Sequence, residues 1–582
     1  MANYGYEFSS VVTALCSHAA NAPNDPAYIF LDERGQEAES LTFAELDRAA
    51  KLLADDLRSR LRSGDRVLLV FPPGLAFVVA FFACQYAGAI AVPSVLPRHR
   101  GLRDSSLKIA DDCAPSLGLT SCSALPPVRR AYGMAPRGTT LDWLGIDIRS
   151  CADSAVSTTV PVPPSPDSIS YLQYTSGSTS APKGVIVSHR NLCANLHMIG
   201  KADALGSQST RVGWIPLHHD MGLIFNCLQA TWVGALCVLV APLTFMADAF
   251  SWLRAIHKYR AEVAIAPNFA YDLCVEQYHS KKMRDVDLSC WKLALNGAEP
   301  VRATTLERFV ATFSAHGLKA SAPHPTYGMA EATLMISGGL HGGTPKLWRV
   351  SCDALQRNRA IAAAEDEKSQ VLVGCGKSLT LERIAIVDPI RKRHLPSAEI
   401  GEIWVHGPNV AQGYWHNAEA TLQTFQARIE GDGDRTWLRT GDFGCFDDTG
   451  ELYITGRMKD MIIIRGANYY PQDIELTAEM SHPALRPGHS AAFTFPQGEQ
   501  EFLAVACEVR REHLQSMDVD EVIGAVRSKV IREHDLTLHR VILTPPGTVP
   551  KTTSGKIRRR ATRDLWQKNE LPTCEFFLGT QA

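Results

Sequence analysis

The segment Val67–Pro97, VLLVFPPGLAFVVAFFACQYAGAIAVPSVLP, is the most apolar stretch of the chain and admits only two kinds of structure. As one helix it is long enough to cross a bilayer, for which about 20 apolar residues suffice. Pro72 and Pro73, however, cut it after a short β-branched run, and Gly88 and Pro93 punctuate its far end. The pattern that accommodates these breaks is strand, turn, buried helix, strand. No integral membrane association is expected.

Similar runs recur at Val212–Ile215, Leu236–Val240 and Val263–Ala266, each followed by a helical or looped stretch. That alternation predicts an α/β chain of stacked sheets and helices, with largely parallel sheets. At 582 residues the chain exceeds one compact unit. The Pro/Ser-rich Val160–Ser168 is a connector into a strand, Ile169–Tyr174. From Val371 onward shorter strands (LERIAIVD, GEIWVHG, GELYITG) alternate with turn residues and predict a β-rich subdomain over about 371–457. A new α+β alternation follows Arg457. The expected organisation is a large domain over 1–457, a boundary at 458–460 and a small C-terminal domain over 461–582.

Fifty-nine basic and 61 acidic residues give a formal charge of -2, which offers no global attraction to nucleic acid. The 15 cysteines are scattered singly, with no CxxC pair, as expected of free thiols in a reducing cytoplasm. The N-terminus lacks the basic and apolar regions of a signal peptide.

The strand ending at Tyr174 runs into YTSGSTSAPKGV, Tyr174–Val185. Its glycines and closely spaced hydroxyls make a loop rich in N–H and O–H donors, suited to wrapping phosphate oxygens, and Lys183 adds a cation at its end. A solvated Ser/Gly linker has the same composition, but this loop is clamped between apolar strands and followed at once by a helix. It is no Walker loop: the nearest match, GCGKS at Gly374–Ser378, has Val371 where the first glycine belongs.

YTSGSTSAPKGV resembles the phosphate-binding signature of the acyl- and aryl-adenylate-forming superfamily, and further motifs follow in that superfamily's order. The resemblance implies binding of ATP with Mg2+, with Thr175, Ser176, Gly177, Ser178, Thr179 and Lys183 on the phosphates. LNGAEPV resembles the adenine-binding turn, which places Gly297, Ala298 and Glu299 at the base. In YGMAEATL the resemblance places Tyr327, Gly328 and Met329 beside the adenine and makes Glu331 the magnesium ligand; by itself Glu331 would read as a solvated helix residue. In LRTGDFG it gives Asp442 the ribose hydroxyls, and in TGRMKDMIIIRG it puts Arg457 at the ribose–phosphate and Lys459 at the hinge. In PKTTSGKIRR it makes Lys556 the catalytic lysine, whereas Arg558, Arg559, Arg560 and Arg563 read in part as a solvated basic tail.

WIPLHHDMGLI, Trp214–Ile224, is similar to a string of the fatty acyl-AMP ligases, which pass acyl groups to carrier proteins. His219, Asp220, Met221 and Gly222 are expected to border the carboxylate end of an acyl pocket. Asn268 and Phe269, in APNFAYDLC, are expected in its wall. A segment inserted at about 350–374 resembles the insertion thought to pack against the large domain in that branch and to restrain the rotation needed for CoA thioesterification. The implied activity is formation of a fatty acyl-adenylate, then acyl transfer to the phosphopantetheine thiol of a separate holo acyl carrier protein, in a polyketide or nonribosomal peptide pathway. Free CoA as acceptor, and an inactive AMP-binding scaffold, are the competing readings. The insertion argues against the first, and the presence of Glu331, Asp442 and Lys556 argues against the second.

Overall fold

The computed structural model describes residues 7–97, 105–133, 141–148, 163–175, 182–339, 343–464, 467–497, 500–552 and 555–574. The apolar segment at Val67 resolves into a strand Arg66–Val70, a helix Ala76–Ala87 and a strand Ile90–Ser94. The helix is buried on nearly all sides, and Gly88 ends it in the left-handed conformation at φ 70°. Among the described residues no helix is long and apolar enough to cross a membrane. The described cysteines are free, most of them buried.

Packing divides the chain into two compact units: residues 1–346, 375–385 and 404–440, and residues 347–374, 386–403 and 441–582. The first unit holds a six-stranded sheet ordered Trp143–Ile146, Leu117–Ser121, Arg66–Val70, Ile90–Ser94, Ile169–Thr175, Lys183–Ser188. Its strands are parallel except for the last pair, which forms an antiparallel hairpin. A nine-stranded sheet has Arg211–Gly213, Val263–Pro267, Leu293–Gly297 and Pro323–Gly328 as parallel neighbours at its centre. The alternation of apolar runs and helices thus becomes largely parallel sheets, in which strands such as Ile90–Ser94, Val263–Pro267 and Leu293–Gly297 are buried on both faces.

The second unit contains a sheet of Leu485–Gln497, Gln500–Val509 and Arg540–Thr544. The helices Pro471–Glu479 and Val519–His534 pack on it, burying Ile474, Ala478, Val522, Val526 and Val530. The inserted segment also belongs to this unit. Its strands Leu347–Ser351 and Ser369–Val373 pair in continuous antiparallel register, from Leu347 opposite Val373 to Ser351 opposite Ser369. Val350, Leu355, Ala360 and Leu372 are buried against Ile400, Phe443, Cys445 and Tyr453, with Met458 and Met461 packed alongside. These partners belong to the same second unit as the segment, although the sequence alone assigned Ile400, Phe443, Cys445 and Tyr453 to the large domain. The same segment reaches past Lys459, where Asn468 Nδ2 donates to Asn358 Oδ1 (3.0 Å) and Lys368 pairs with Asp535 (2.8 Å).

Candidate active site

In the first unit the two strands flanking the loop expected to bind phosphate form a hairpin. Strands Ile169–Thr175 and Lys183–Ser188 pair so that Thr175 stands opposite Lys183. Ser176, Gly177, Ser178 and Thr179 lie outside the described residues. Gly184 lets the strand pass the Tyr174 ring, whose nearest carbon would stand 2.8 Å from an added Cβ. The segment 411–415 is laced to the strand's other side: Ile186 N–H donates to the Gly413 carbonyl (2.9 Å), Gln412 N–H to Ile186 (3.0 Å) and Trp415 N–H to Gly184 (2.7 Å). This lacing delivers Tyr414. Lys183 Nζ lies 4.7 Å from the centroid of its ring, and its hydroxyl donates to Glu331 Oε1 at 2.8 Å. The Ala411 N–H bonds the Glu331 carbonyl (2.9 Å). Lysine, tyrosine and glutamate from three distant stretches of sequence form one chain of contacts. Sequence reasoning missed Tyr414; the GYW string was its only signal.

The strand Leu293–Gly297 ends beside Pro323–Gly328. A Cβ on Gly297 would stand 2.7 Å from Thr326 Oγ1, and the next residue, Ala298, is left-handed at φ 68°. Glu299 Oε1 accepts the Phe269 N–H at 2.6 Å, so this carboxylate ties the turn to the helix Asn268–Glu276. Asn268 is equally committed. Its Oδ1 accepts from Asn296 Nδ2 and Arg302 N–H, and its Nδ2 donates to Thr305 Oγ1 and Asp272 Oδ2. It is a buried bracket joining strand to helix. Phe269 meets the Trp214 ring edge to face at 6.0 Å. After Tyr327, a side chain at Gly328 would collide with the Leu334 carbonyl, and Met329 N–H donates to that same carbonyl at 2.8 Å. This tight turn presents Glu331 on the single 3-10 turn Ala330–Ala332.

The HHDMG string begins a π-helix, Met221–Leu228, whose first N–H is capped by Asp220 Oδ1 at 2.8 Å. Gly222 lies against the Ile215 and Pro216 carbonyls, where any side chain would clash. The rings of His218 and His219 are 4.6 Å apart. Burial, and then His219, push His218 well below the usual imidazole range, so it is neutral at pH 7. Gln173 Nε2 holds the His218 carbonyl (2.9 Å). Burial and the nearby Asp220 likewise push the Tyr171 hydroxyl up.

In the second unit Asp442 stands opposite Arg457 in the hairpin Leu438–Phe446/Leu452–Arg457, and the Arg457 Nε–Asp442 Oδ1 distance is 2.9 Å. The Asp442 side chain is 9% exposed, a carboxylate pre-set by its partner. Lys556 sits at the end of a small loop in which Thr552 N–H donates to the Lys556 carbonyl (2.8 Å) and Lys556 N–H donates to Thr552 Oγ1 (3.0 Å). The basic tail differs from expectation at Arg559. That side chain is held bidentate by Glu475 and by Asp460, and these carboxylates outweigh burial in holding its charge. Spacing could not reveal this, because its partners lie 84 and 99 residues away.

These motifs and this fold find direct counterparts. The AMP-binding enzyme family matches residues 15–415. The chain belongs to that family. The AMP domain of Disco-interacting protein 2-like proteins matches residues 459–575 of this AMP-binding enzyme. It is 39% identical to the medium-chain-fatty-acid–[acyl-carrier-protein] ligase JamA of Moorena producens, over 96% of this chain and 95% of that one. It is 35% identical to the long-chain-fatty-acid–AMP ligase FadD32 of Mycolicibacterium smegmatis, over 97% and 95%. The crystal structure of a fatty acid AMP ligase from Legionella pneumophila superposes with a TM-score of 0.74 at 36% identity, covering 98% of this chain and 97% of that one.

Proposed function

We propose that this enzyme joins a fatty acid to AMP and then passes the acyl group to the thiol of a holo acyl carrier protein. The observation that carries the reading is the contact chain Lys183–Tyr414–Glu331, which sets a cation and a carboxylate at the foot of the phosphate loop. In the first step a carboxylate oxygen attacks the α-phosphorus of ATP. The new C–O–P linkage forms as the bond to the β-phosphate breaks and pyrophosphate leaves. Lys183 and the loop donors hold the phosphates, Asp442 accepts the ribose hydroxyls, and Lys556 meets the charge on the reacting oxygens without reorganising. His219 and Asp220 border the carboxylate of the fatty acid. In the second step the carrier's thiol attacks the acyl carbon and AMP departs.

Glu331 fits a magnesium ion that arrives with the nucleotide. Its carboxylate is a hard oxygen donor, and among the described residues no group of three or more His, Cys, Asp or Glu forms a cage. Bound there, the ion neutralises phosphate charge. The Asp460 and Lys459 region is read as the hinge about which the small domain turns between the two steps. A polyketide or nonribosomal peptide pathway is the setting in which a separate carrier takes such a product.

The test incubates the protein with ATP, magnesium and a panel of fatty acids, then offers CoA or a holo carrier protein and identifies products by mass spectrometry. Acyl-AMP with transfer to the carrier is expected, and abundant acyl-CoA would overturn the choice of acceptor. Lys556→Ala should cut acyl-AMP formation by more than about a hundredfold, the scale of one lost transition-state donor.

A further inference from the structure

The helix Arg559–Gln567 begins three residues after Lys556, and no side chain caps its N-terminus. Its first turn is held by its own arginines. Arg559 Nε and Nη2 reach Glu475 Oε1 and Oε2 at 2.6 and 2.7 Å, a parallel two-bond fork, while Nη1 reaches Asp460 Oδ2 at 3.2 Å. Arg560 Nη2 donates to the Lys459 carbonyl at 3.0 Å. Glu475 is 4% exposed on its side chain and is fixed in turn by the Ala492 N–H at 2.9 Å. The other arm of the Lys556 loop is also anchored, since Lys551 Nζ donates to the Gly488 carbonyl at 2.8 Å. Between the arms, Lys551 bridges to Ile557 and the Arg558 N–H donates to the Pro550 carbonyl at 2.9 Å. The backbone on either side of Lys556 is thus held, and its outgoing end runs directly into Arg559.

We infer that Arg559 is a positioning residue for Lys556: clamped by Glu475 and Asp460, it fixes the Lys556 loop to the helix Pro471–Glu479 and to the residues beside Lys459. This rests on the reading of Lys556 as the catalytic lysine. The fork defines both distance and orientation, as a planar guanidinium bound by two carboxylate oxygens must. The arm to Asp460 refers the loop to the chain segment at the proposed hinge, so Lys556 moves as one body with the residues that follow it. A lysine ammonium has a long flexible stem, and its placement at a reacting oxygen depends on where its backbone is held. Displacing such a group by about 1 Å is worth up to about a hundredfold in rate.

The test measures single-turnover acyl-AMP formation, ATP affinity by calorimetry and the melting temperature for Arg559→Ala, Arg559→Lys, Asp460→Asn and Lys556→Ala. Arg559→Ala should slow the chemical step by about 10- to 100-fold while the ATP Kd stays within about threefold. Arg559→Lys keeps the charge beside Glu475 and should recover a large part of that loss, and Asp460→Asn should show a smaller loss of the same kind. A folded Arg559→Ala protein with the wild-type single-turnover rate overturns the inference. So does a loss that appears equally in ATP affinity and rate, tracks the melting temperature and is not recovered by lysine, because that marks a scaffold residue. If Arg559→Ala does not fold, Arg559→Lys and Asp460→Asn decide, and wild-type chemistry in both overturns the clamp. A wild-type rate in Lys556→Ala would instead strike the reading of Lys556 itself.

Discussion

The inserted segment makes contacts on both sides of Lys459, which suggests a perturbation whose size can be worked out. Asn468 lies beyond the proposed hinge at Lys459, and its Nδ2 donates to Asn358 Oδ1 at 3.0 Å and more weakly to the Gln356 carbonyl at 3.4 Å. The exposed Lys368–Asp535 pair is screened by solvent and contributes little. If the segment favours the adenylating arrangement by about 2–3 kcal/mol, the arrangement needed for thioester formation is occupied below roughly 3% of the time. A neutral hydrogen bond of this kind is worth about 1 kcal/mol net, so Asn468→Ala should raise that occupancy about fivefold. The assay supplies preformed acyl-AMP and follows transfer to a holo carrier protein or to CoA, beside single-turnover adenylation. Faster transfer with unchanged adenylation is expected. Deleting Ala354–Ser369, which removes the buried Leu355 and Ala360 as well, should give a larger gain. Unaltered transfer to both acceptors in both variants would refute restraint by this segment, and a parallel loss of adenylation would place it within the catalytic arrangement.

Three further outcomes are expected. Tyr414→Phe keeps the ring beside Lys183 but removes the donor to Glu331, and should raise the magnesium concentration for half-maximal adenylation by about tenfold, the scale of one hydrogen bond to a charged group; an unchanged magnesium titration would detach Glu331 from the ion. Asp442→Ala should weaken ATP far more than fatty acid in calorimetric titrations, and equal nucleotide affinity in a folded variant would contradict its place at the ribose. Burial raises the Glu382 carboxyl well above its ordinary 4.5, against the opposing bonds from Asn409 and the Leu379 N–H. The native state therefore keeps a proton that the unfolded chain releases. Stability present below about 4.5 is lost as pH rises through the native value, and Glu382→Gln should flatten the melting temperature across that window. An unaltered pH profile would show that Glu382 does not titrate this way.

The chain's own residues announced the α/β layering and the order of its motifs, because both are written in local pattern. Val67–Val70, Pro72–Pro73 and Gly88 specify strand, break and helix end through β-branching, missing donors and a left-handed φ, all within one or two turns of chain. Gly328 and Gly222 sit where backbone close by in sequence, at Leu334 and at Ile215 and Pro216, leaves no room for a Cβ, so those turns too are carried by local sequence. What only the tertiary structure decided are the partnerships across long separations. Tyr414 reaches Glu331 over 83 residues because the segment 411–415 is laced to the phosphate-loop strand. Asn268 became a bracket through Asn296 and Thr305, and Glu299 turned to the Phe269 amide. Arg559, one of several arginines in a basic run, was singled out by two carboxylates from elsewhere in the fold. Composition and periodicity record which face of an element is buried. They carry no information about which buried polar group will stand opposite another, because that is fixed by the packing of elements distant in sequence.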